Sequence, residues 1–234
     1  MMLSVAHLDT FYGRAQILFD LAFEAARGEV VVLLGRNGAG KSTTLKSIIG
    51  IVPPARGEIR FQGRAIRGLP AFAISRLGIG YVPEERRIFE DLTVAENLEV
   101  GRQQPREGAP SWTRERLFAL FPRLAELRDR RAGSMSGGEQ QMLTIARALM
   151  GNPALILLDE PSEGLAPVIV EQMARTIRAL KAEGLTVVLS EQNLRFAALV
   201  GDRAYVIEKG RVRAQGAMAE IAGEAGIGAA SLSV

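Results

Sequence analysis

The sequence predicts an α/β fold built on a mostly parallel sheet, with a helical lobe inserted into it. Three observations predict it. Val30–Leu34 and Ala154–Leu158 are unbroken apolar runs of strand length, as in strands covered on both faces. Strand and helix patterns alternate through the last third of the chain. Between them, from about Asp91 to Met150, the apolar spacing is helical throughout.

The elements follow in order. Leu3–Asp9 and Ile17–Glu24 alternate as strands, and Arg27-Gly28-Glu29 is a turn. A glycine-rich loop and a helix come directly after Val30–Leu34. Pro53, Pro54 and Gly57 break the chain, and Glu58–Ile66 reads as a hairpin around Gln62-Gly63. Thr93 and Glu96 have capping-box spacing. Gln103–Ser111 is rich in Pro, Gly and charge and reads as a loop. Met142, Ile145, Ala146 and Leu149 share one helical face. Pro167–Glu183 is a helix with Val170, Met173, Ala174, Ile177 and Leu180 inward; Thr186–Ser190 is a strand, Leu194–Val200 a helix and Arg203–Glu208 a strand. The Gly/Ala/Ser-rich tail after Gly223 predicts loose order. There is no internal repeat.

Composition excludes several chemistries. Of 234 residues, 47% are hydrophobic and 24% charged, an ordinary globular balance. The absence of cysteine excludes disulfides, thiolate metal sites and a cysteine nucleophile. One histidine, His7, excludes a multi-histidine zinc site, and on a strand it reads as an ordinary surface or packing residue. A net charge of +3 with scattered basic residues, such as Arg128, Arg130 and Arg131, lacks the basic stripe of a nucleic-acid binder. No run approaches the roughly 18 apolar residues of a membrane span. Met1-Met2-Leu3-Ser4 lacks a signal-peptide start, so the chain is expected to stay where it is made and to meet a membrane only through partners.

Gly35-Arg36-Asn37-Gly38-Ala39-Gly40-Lys41-Ser42-Thr43 fits the P-loop spacing. Glycines let successive N–H groups turn inward toward phosphate oxygens, and the helix that follows adds its positive end. Lys41 is placed to reach the β- and γ-phosphates of ATP, and Ser42 to ligate Mg²⁺. Leu155–Leu158 leads into Asp159-Glu160, two acids at the carboxyl edge of the sheet, where α/β folds bind ligands. Asp159 suits the Mg²⁺ shell, and Glu160 suits a base for the attacking water. Taken alone, this pair is more often a solvated strand end; about 118 residues after a P-loop it completes a site.

Ser134-Met135-Ser136-Gly137-Gly138-Glu139-Gln140-Gln141 is by itself a good helix start. Lying between the P-loop and the acidic strand, it resembles the signature of ABC ATPases, usually Leu-Ser-Gly-Gly-Gln. The resemblance covers nearly the whole chain. Tyr12 matches the aromatic residue that stacks on adenine. Tyr81-Val82-Pro83-Glu84 matches the loop that couples the sheet domain to the helical lobe and the membrane subunit. Ser190-Glu191-Gln192-Asn193 matches the switch region. Three positions depart from the pattern: Glu84 stands for the usual Gln, Gln192 for His, and Ala166 for the Asp that ends the Pro161–Pro167 loop. With Arg86-Arg87-Ile88-Phe89 and Gly164-Leu165-Ala166-Pro167, these segments resemble the ATP-binding subunits of branched-chain amino acid importers, the LivF type. The related urea and short-chain amide importers share much of the pattern.

The resemblance implies a RecA-like P-loop core with an N-terminal antiparallel β-subdomain over residues 1–90 and 152–222. It implies a helical signature subdomain at 91–151 and a tail at 223–234. ATP and Mg²⁺ are implied as cofactors. Nucleotide binding falls to Tyr12, Gly35, Asn37, Gly38, Ala39, Gly40, Lys41, Ser42 and Thr43, with Ser136, Gly137, Gly138 and Glu139 reaching a partner's nucleotide. Metal binding falls to Ser42, Glu84 and Asp159, and catalysis to Glu160 and Gln192. Glu84 equally suits a surface acid near Arg86 and Arg87. The implied partners are integral membrane permease subunits, a second ATP-binding subunit arranged head to tail and, indirectly, an extracytoplasmic solute-binding protein. The implied place is the cytoplasmic face of the plasma membrane. A soluble ABC ATPase of DNA repair or translation is the contrasting reading, but the long coiled coil of the one and the second cassette of the other are missing.

Overall fold

A computed structural model describes residues 1–223, so the expectation for the tail beyond Gly223 lies outside the described residues. The chain opens with two long antiparallel strands, β1 (Leu3–Tyr12) and β2 (Ala15–Ala25). It continues into β3 (Val30–Leu34) and, past the glycine loop, α1 (Lys41–Ile48). The hairpin β4 (Arg56–Phe61) and β5 (Arg64–Ala65) adds to β1, giving a four-stranded antiparallel sheet ordered β2-β1-β4-β5.

Next come α2 (Ala71–Leu77) and β6 (Ile79–Val82). The stretch that follows is helical: α3 (Val94–Val100), α4 (Arg114–Leu120), α5 (Pro122–Glu126) and α6 (Gly137–Leu149). The chain then re-enters the sheet with β7 (Leu155–Asp159), α7 (Pro167–Ala182), β8 (Thr186–Glu191), α8 (Leu194–Val200), β9 (Arg203–Glu208), β10 (Arg211–Ala217) and α9 (Met218–Ala222). The second sheet is ordered β10-β9-β3-β8-β7-β6, all parallel except β10.

The apolar runs form strands because both of their faces are covered. In β3, Val30, Val32 and Leu34 enter one core, shared with α6, α7 and α8, while Val31 and Leu33 enter another, shared with α1 and the antiparallel sheet. Ile156 and Leu158 divide from Leu155 and Leu157 in the same way. Each such side chain contributes roughly 1.5–3 kcal/mol by burial, so these central strands hold their carboxyl ends firmly in place.

The predicted caps are present. Thr93 Oγ1 accepts from the Glu96 amide at 3.2 Å, and the Glu96 carboxylate accepts from the Thr93 amide at 2.7 Å. Some predicted bounds shift. Tyr81 and Val82 are the last residues of β6, paired with Leu157 and Leu158, so the loop begins at Pro83. Val170 is only half-buried, on the flank of α7. The short elements α2, β10 and α9 are not among those predicted: β10 alternates but buries its inner face only partly, α2 buries only Ile74 completely, and α9 buries only Met218 and Ile221. His7 is exposed and pairs with Asp20 where β1 bulges.

Gly210 joins the two sheets. Its N–H donates to the Ala39 carbonyl at 2.8 Å, and its carbonyl accepts from the Phe19 amide at 2.9 Å. With φ +74°, a Cβ there would lie 1.9 Å from the Ile17 carbonyl oxygen. Replacing Gly210 by Ala should therefore destabilise the fold by about 2 kcal/mol or more, read as a lower urea midpoint at unchanged slope. An unchanged midpoint would mean that this junction carries no strain.

Candidate functional site

The glycine loop turns tightly because Gly38 and Gly40 sit at φ +78° and +108°. No side chain caps the start of α1, so its first amides face the cleft unclaimed. The cleft, about 350 Å³, is lined by Tyr12, Ile17, Asn37, Gly38, Gly40, Lys41, Ser42, Thr43, Glu84 and Glu160. A 46% exposed Tyr12 stands on its wall. Gly35 and Ala39 lie in the same loop, below its surface.

Lys41 is almost wholly buried, and its ammonium is fully engaged. It donates to the Gly35 carbonyl at 2.8 Å and the Arg36 carbonyl at 3.0 Å, and pairs with Glu160 Oε1 at 2.9 Å. Glu160 sits just past β7 at φ +46°, a left-handed conformation that is uncommon for a glutamate. Its amide donates to the Ser190 carbonyl at 3.2 Å and to Ser190 Oγ at 3.1 Å. Burial pushes its carboxyl pKa up, and the Lys41 ammonium opposes that rise. Its second oxygen, Oε2, is buried with no hydrogen-bond partner.

Asp159 gathers three hydroxyls. It accepts from Ser42 Oγ at 2.8 Å, Ser190 Oγ at 2.7 Å and Tyr81 OH at 3.3 Å. Burial and the Asp159 charge push the Tyr81 pKa far up, so the phenol stays a donor. Ser42 and Asp159 thus meet, as oxygen donors of a hard cation site should, and Glu84 lies on the same cleft.

Gln192 lies on a second groove, of about 610 Å³, that shares Glu160 with the first. Glu191 was given no separate role in the sequence. It is buried, and its carboxylate accepts from the amides of Ser162 (3.1 Å), Gln192 (3.2 Å) and Asn193 (3.2 Å). Burial pushes its pKa up. It ties the loop after Glu160 to the segment bearing Gln192. The signal was available: Glu191 ends a buried parallel strand just as Asp159 does.

The Ser136 motif stands apart. Ser136 caps α6, and the Glu139 carboxylate accepts from its amide (2.8 Å) and hydroxyl (3.0 Å), while Arg123 holds the other carboxylate oxygen at 2.8 Å. Burial tends to raise the Glu139 pKa, but Arg123 and Ser136 prevail and lower it. Ser136, Gly138 and Glu139 line a pocket of about 310 Å³ that shares no residue with the Lys41 cleft. The Arg86 guanidinium packs against Gly137, and its carbonyl accepts from Thr144 on α6, a contact that the sequence did not announce.

Comparison with known proteins agrees with this geometry. Residues 18–163 match the ABC transporter family. The chain is 49% identical over 211 residues to BraG of Pseudomonas aeruginosa, a high-affinity branched-chain amino acid transport ATP-binding protein, covering 90% of this chain and 91% of that one. It is 38% identical to the lipopolysaccharide export ATP-binding protein LptB of Escherichia coli K12, covering 94% and 92%. A crystal structure of an ABC transporter ATP-binding cassette in its ADP conformation superposes with a TM-score of 0.81 at 28% identity, covering 99% and 95%. Its fold, its P-loop and these relatives together make the chain a member of the ABC transporter family, an ATP-hydrolysing ATP-binding subunit.

Proposed function

We propose that this chain drives the import of branched-chain amino acids, binding MgATP in the Lys41 cleft. The observation that carries the site assignment is the meeting of Lys41, Glu160, Ser42 and Asp159 at the uncapped start of α1. In this reading the amides of Gly38, Gly40, Lys41, Ser42 and Thr43 receive the triphosphate, with Gly35, Asn37 and Ala39 shaping the loop. Tyr12 receives the adenine. Ser42 and Asp159, with Glu84, supply oxygens to Mg²⁺, which neutralises phosphate charge when bound. Lys41 exchanges Glu160 for phosphate oxygens, freeing a carboxylate whose raised pKa suits a base. Glu160 then takes a proton from water as the water oxygen bonds to the γ-phosphorus and the bond to ADP breaks. Gln192 donates an amide N–H to the γ-phosphate.

Ser136, Gly137 and Gly138 lie on a different surface from their own chain's P-loop. That supports two half-sites completed by a second ATP-binding subunit, with Glu139 holding Ser136 in place. We divide the chain accordingly into a core (1–90 and 152–222) and a helical unit (91–151). The groove between them exposes two apolar side chains, Phe89 and Val100, beside Tyr81, Gln103 and Arg147, a mixed surface suited to an amphipathic permease segment. No helix among the described residues is long and apolar enough to cross a membrane. The reading therefore places the chain at the cytoplasmic face, carried by permease subunits, with a solute-binding protein delivering the cargo outside. Identity to BraG exceeds that to LptB, which favours amino-acid import over export. Urea or short-chain amide import is the second reading, because the related importers share much of the same motif pattern.

Three outcomes are expected. Glu160→Gln should lower ATP turnover by about 10³-fold or more while a nucleotide-bound dimer accumulates on gel filtration; near-normal turnover would remove Glu160 from the role. Because an amide does not titrate, the turnover rate should show no switch-histidine ionisation, and Gln192→His should add a rate step between about pH 6 and 7 that the wild type lacks; an unchanged pH profile in that variant would count against Gln192. Deleting the gene should abolish uptake of labelled leucine and spare that of urea, and the reverse pattern would select the second reading.

A further inference from the structure

The core and the helical unit are joined by two chain crossings, at 83–93 and 150–154. The first is tied down from α6: Thr144 donates to the Arg86 carbonyl and Arg147 to the Arg87 carbonyl. At the second, the tie comes from a distant loop. Arg106 lies in the irregular segment between α3 and α4, and its guanidinium gathers carbonyls from both sides. Nη1 donates to Asn152 at 2.8 Å and to Gly151, just past α6; Nη2 donates to Arg76 at 3.2 Å and Ser75 at 3.4 Å, at the end of α2. Gln103 Oε1 completes the set at 2.5 Å.

Among the described residues Arg106 has no carboxylate partner. The half-buried cation is held by the negative ends of two helices, a favourable placement, and burial pulls its pKa down without discharging it. Asn152, at φ +50°, fixes the same loop: its carbonyl oxygen Oδ1 accepts from the Trp112 amide at 2.5 Å and its Nδ2 donates to the Gln103 carbonyl at 2.8 Å. Arg27 holds the loop from the antiparallel sheet through the Gly108 carbonyl at 2.8 Å. The two helix ends that Arg106 joins lead directly into β6 and β7, the strands carrying Glu84 and Asp159-Glu160 at their far ends.

We infer that Arg106 is a positioning residue that pins the second crossing, and so fixes where the Ser136 helix stands relative to the Lys41 cleft. The inference rests on the reading that the Ser136 face must close on a partner's nucleotide. A planar fork spanning four carbonyls sets an orientation, which a single ammonium cannot do. A helix displaced by about 1 Å at its hinge would lose much of its catalytic alignment. The P-loop amides, at the opposite edge of the sheet, would keep their places.

The test is Arg106→Met in the assembled transporter, followed by ATP turnover, ADP affinity and the fluorescence of Trp112, the chain's single tryptophan. We expect kcat to fall about tenfold with ADP affinity within about twofold of wild type, a changed Trp112 signal, and only partial recovery in Arg106→Lys. Unchanged kcat would overturn the inference. So would an equal loss of ADP affinity and kcat, which would mean that Arg106 merely holds the fold. Should the Met variant not fold, Asn152→Gly keeps the backbone at ease and removes the neighbouring anchors; it must show the same split, smaller in size. Absence of turnover in the wild-type complex would instead sink the functional reading.

Discussion

Lys41 is a charge with almost no water around it. Leaving an ammonium unpaired in such a place would cost several kcal/mol, and the fold avoids this by giving it two loop carbonyls and Glu160. The rest of the site depends on this arrangement. It needs a loop that exposes carbonyls on one side and amides on the other, hence the glycines. It also needs a carboxylate arriving from another strand, hence β7 beside β8 and β3 in one parallel sheet. Under the proposed function this bond would compete with nucleotide: a triphosphate offers Lys41 more negative charge than Glu160 does, and the exchange would release that carboxylate to act as a base.

Glu160 is held in a conformation that does not favour it. Its left-handed backbone is fastened by Ser190, while Oε2 faces no donor. Buried groups that are under-satisfied and strained cluster where chemistry is done. Asp159, one residue earlier, is the opposite case, with three hydroxyls around it. Adjacent acids thus have different surroundings, one satisfied by three hydroxyls and the other with an oxygen that has no partner, and the proposed function gives them different roles accordingly.

The sequence made the local parts of this legible. The P-loop, the capping boxes and the two-faced strands each depend on residues a few positions apart, so their physics is written in spacing. Tyr12 and Glu84 reached the cleft as the resemblance implied. What stayed hidden depends on meetings of distant carbonyls and amides. Glu191 collects three amides, Arg106 collects four carbonyls, and Arg86 covers Gly137. Main-chain groups carry no side-chain signature, so nothing in the letters says which arginine will find them. The short elements α2, β10 and α9 were hidden for another reason: each has too few or only half-buried apolar positions for its period to stand out.

The division of labour between the two crossings follows from where the acids lie. Parallel strands put Asp159, Glu160 and Glu191 at one edge of the sheet, so under the proposed function a linkage that moves with nucleotide belongs at that edge. The first crossing starts there, past Glu84, and its ties run to the helical unit, from Thr144 and Arg147 of α6 and from Asn97 of α3. At the opposite edge a linkage can be stiff without touching the nucleotide, and that is where the Arg106 fork sits. The helix that begins at Ser136 and ends beside Asn152 spans both crossings: it meets the first through the Arg86 and Arg87 carbonyls, and past its far end the Arg106 fork ties it to the strands that bear the acids.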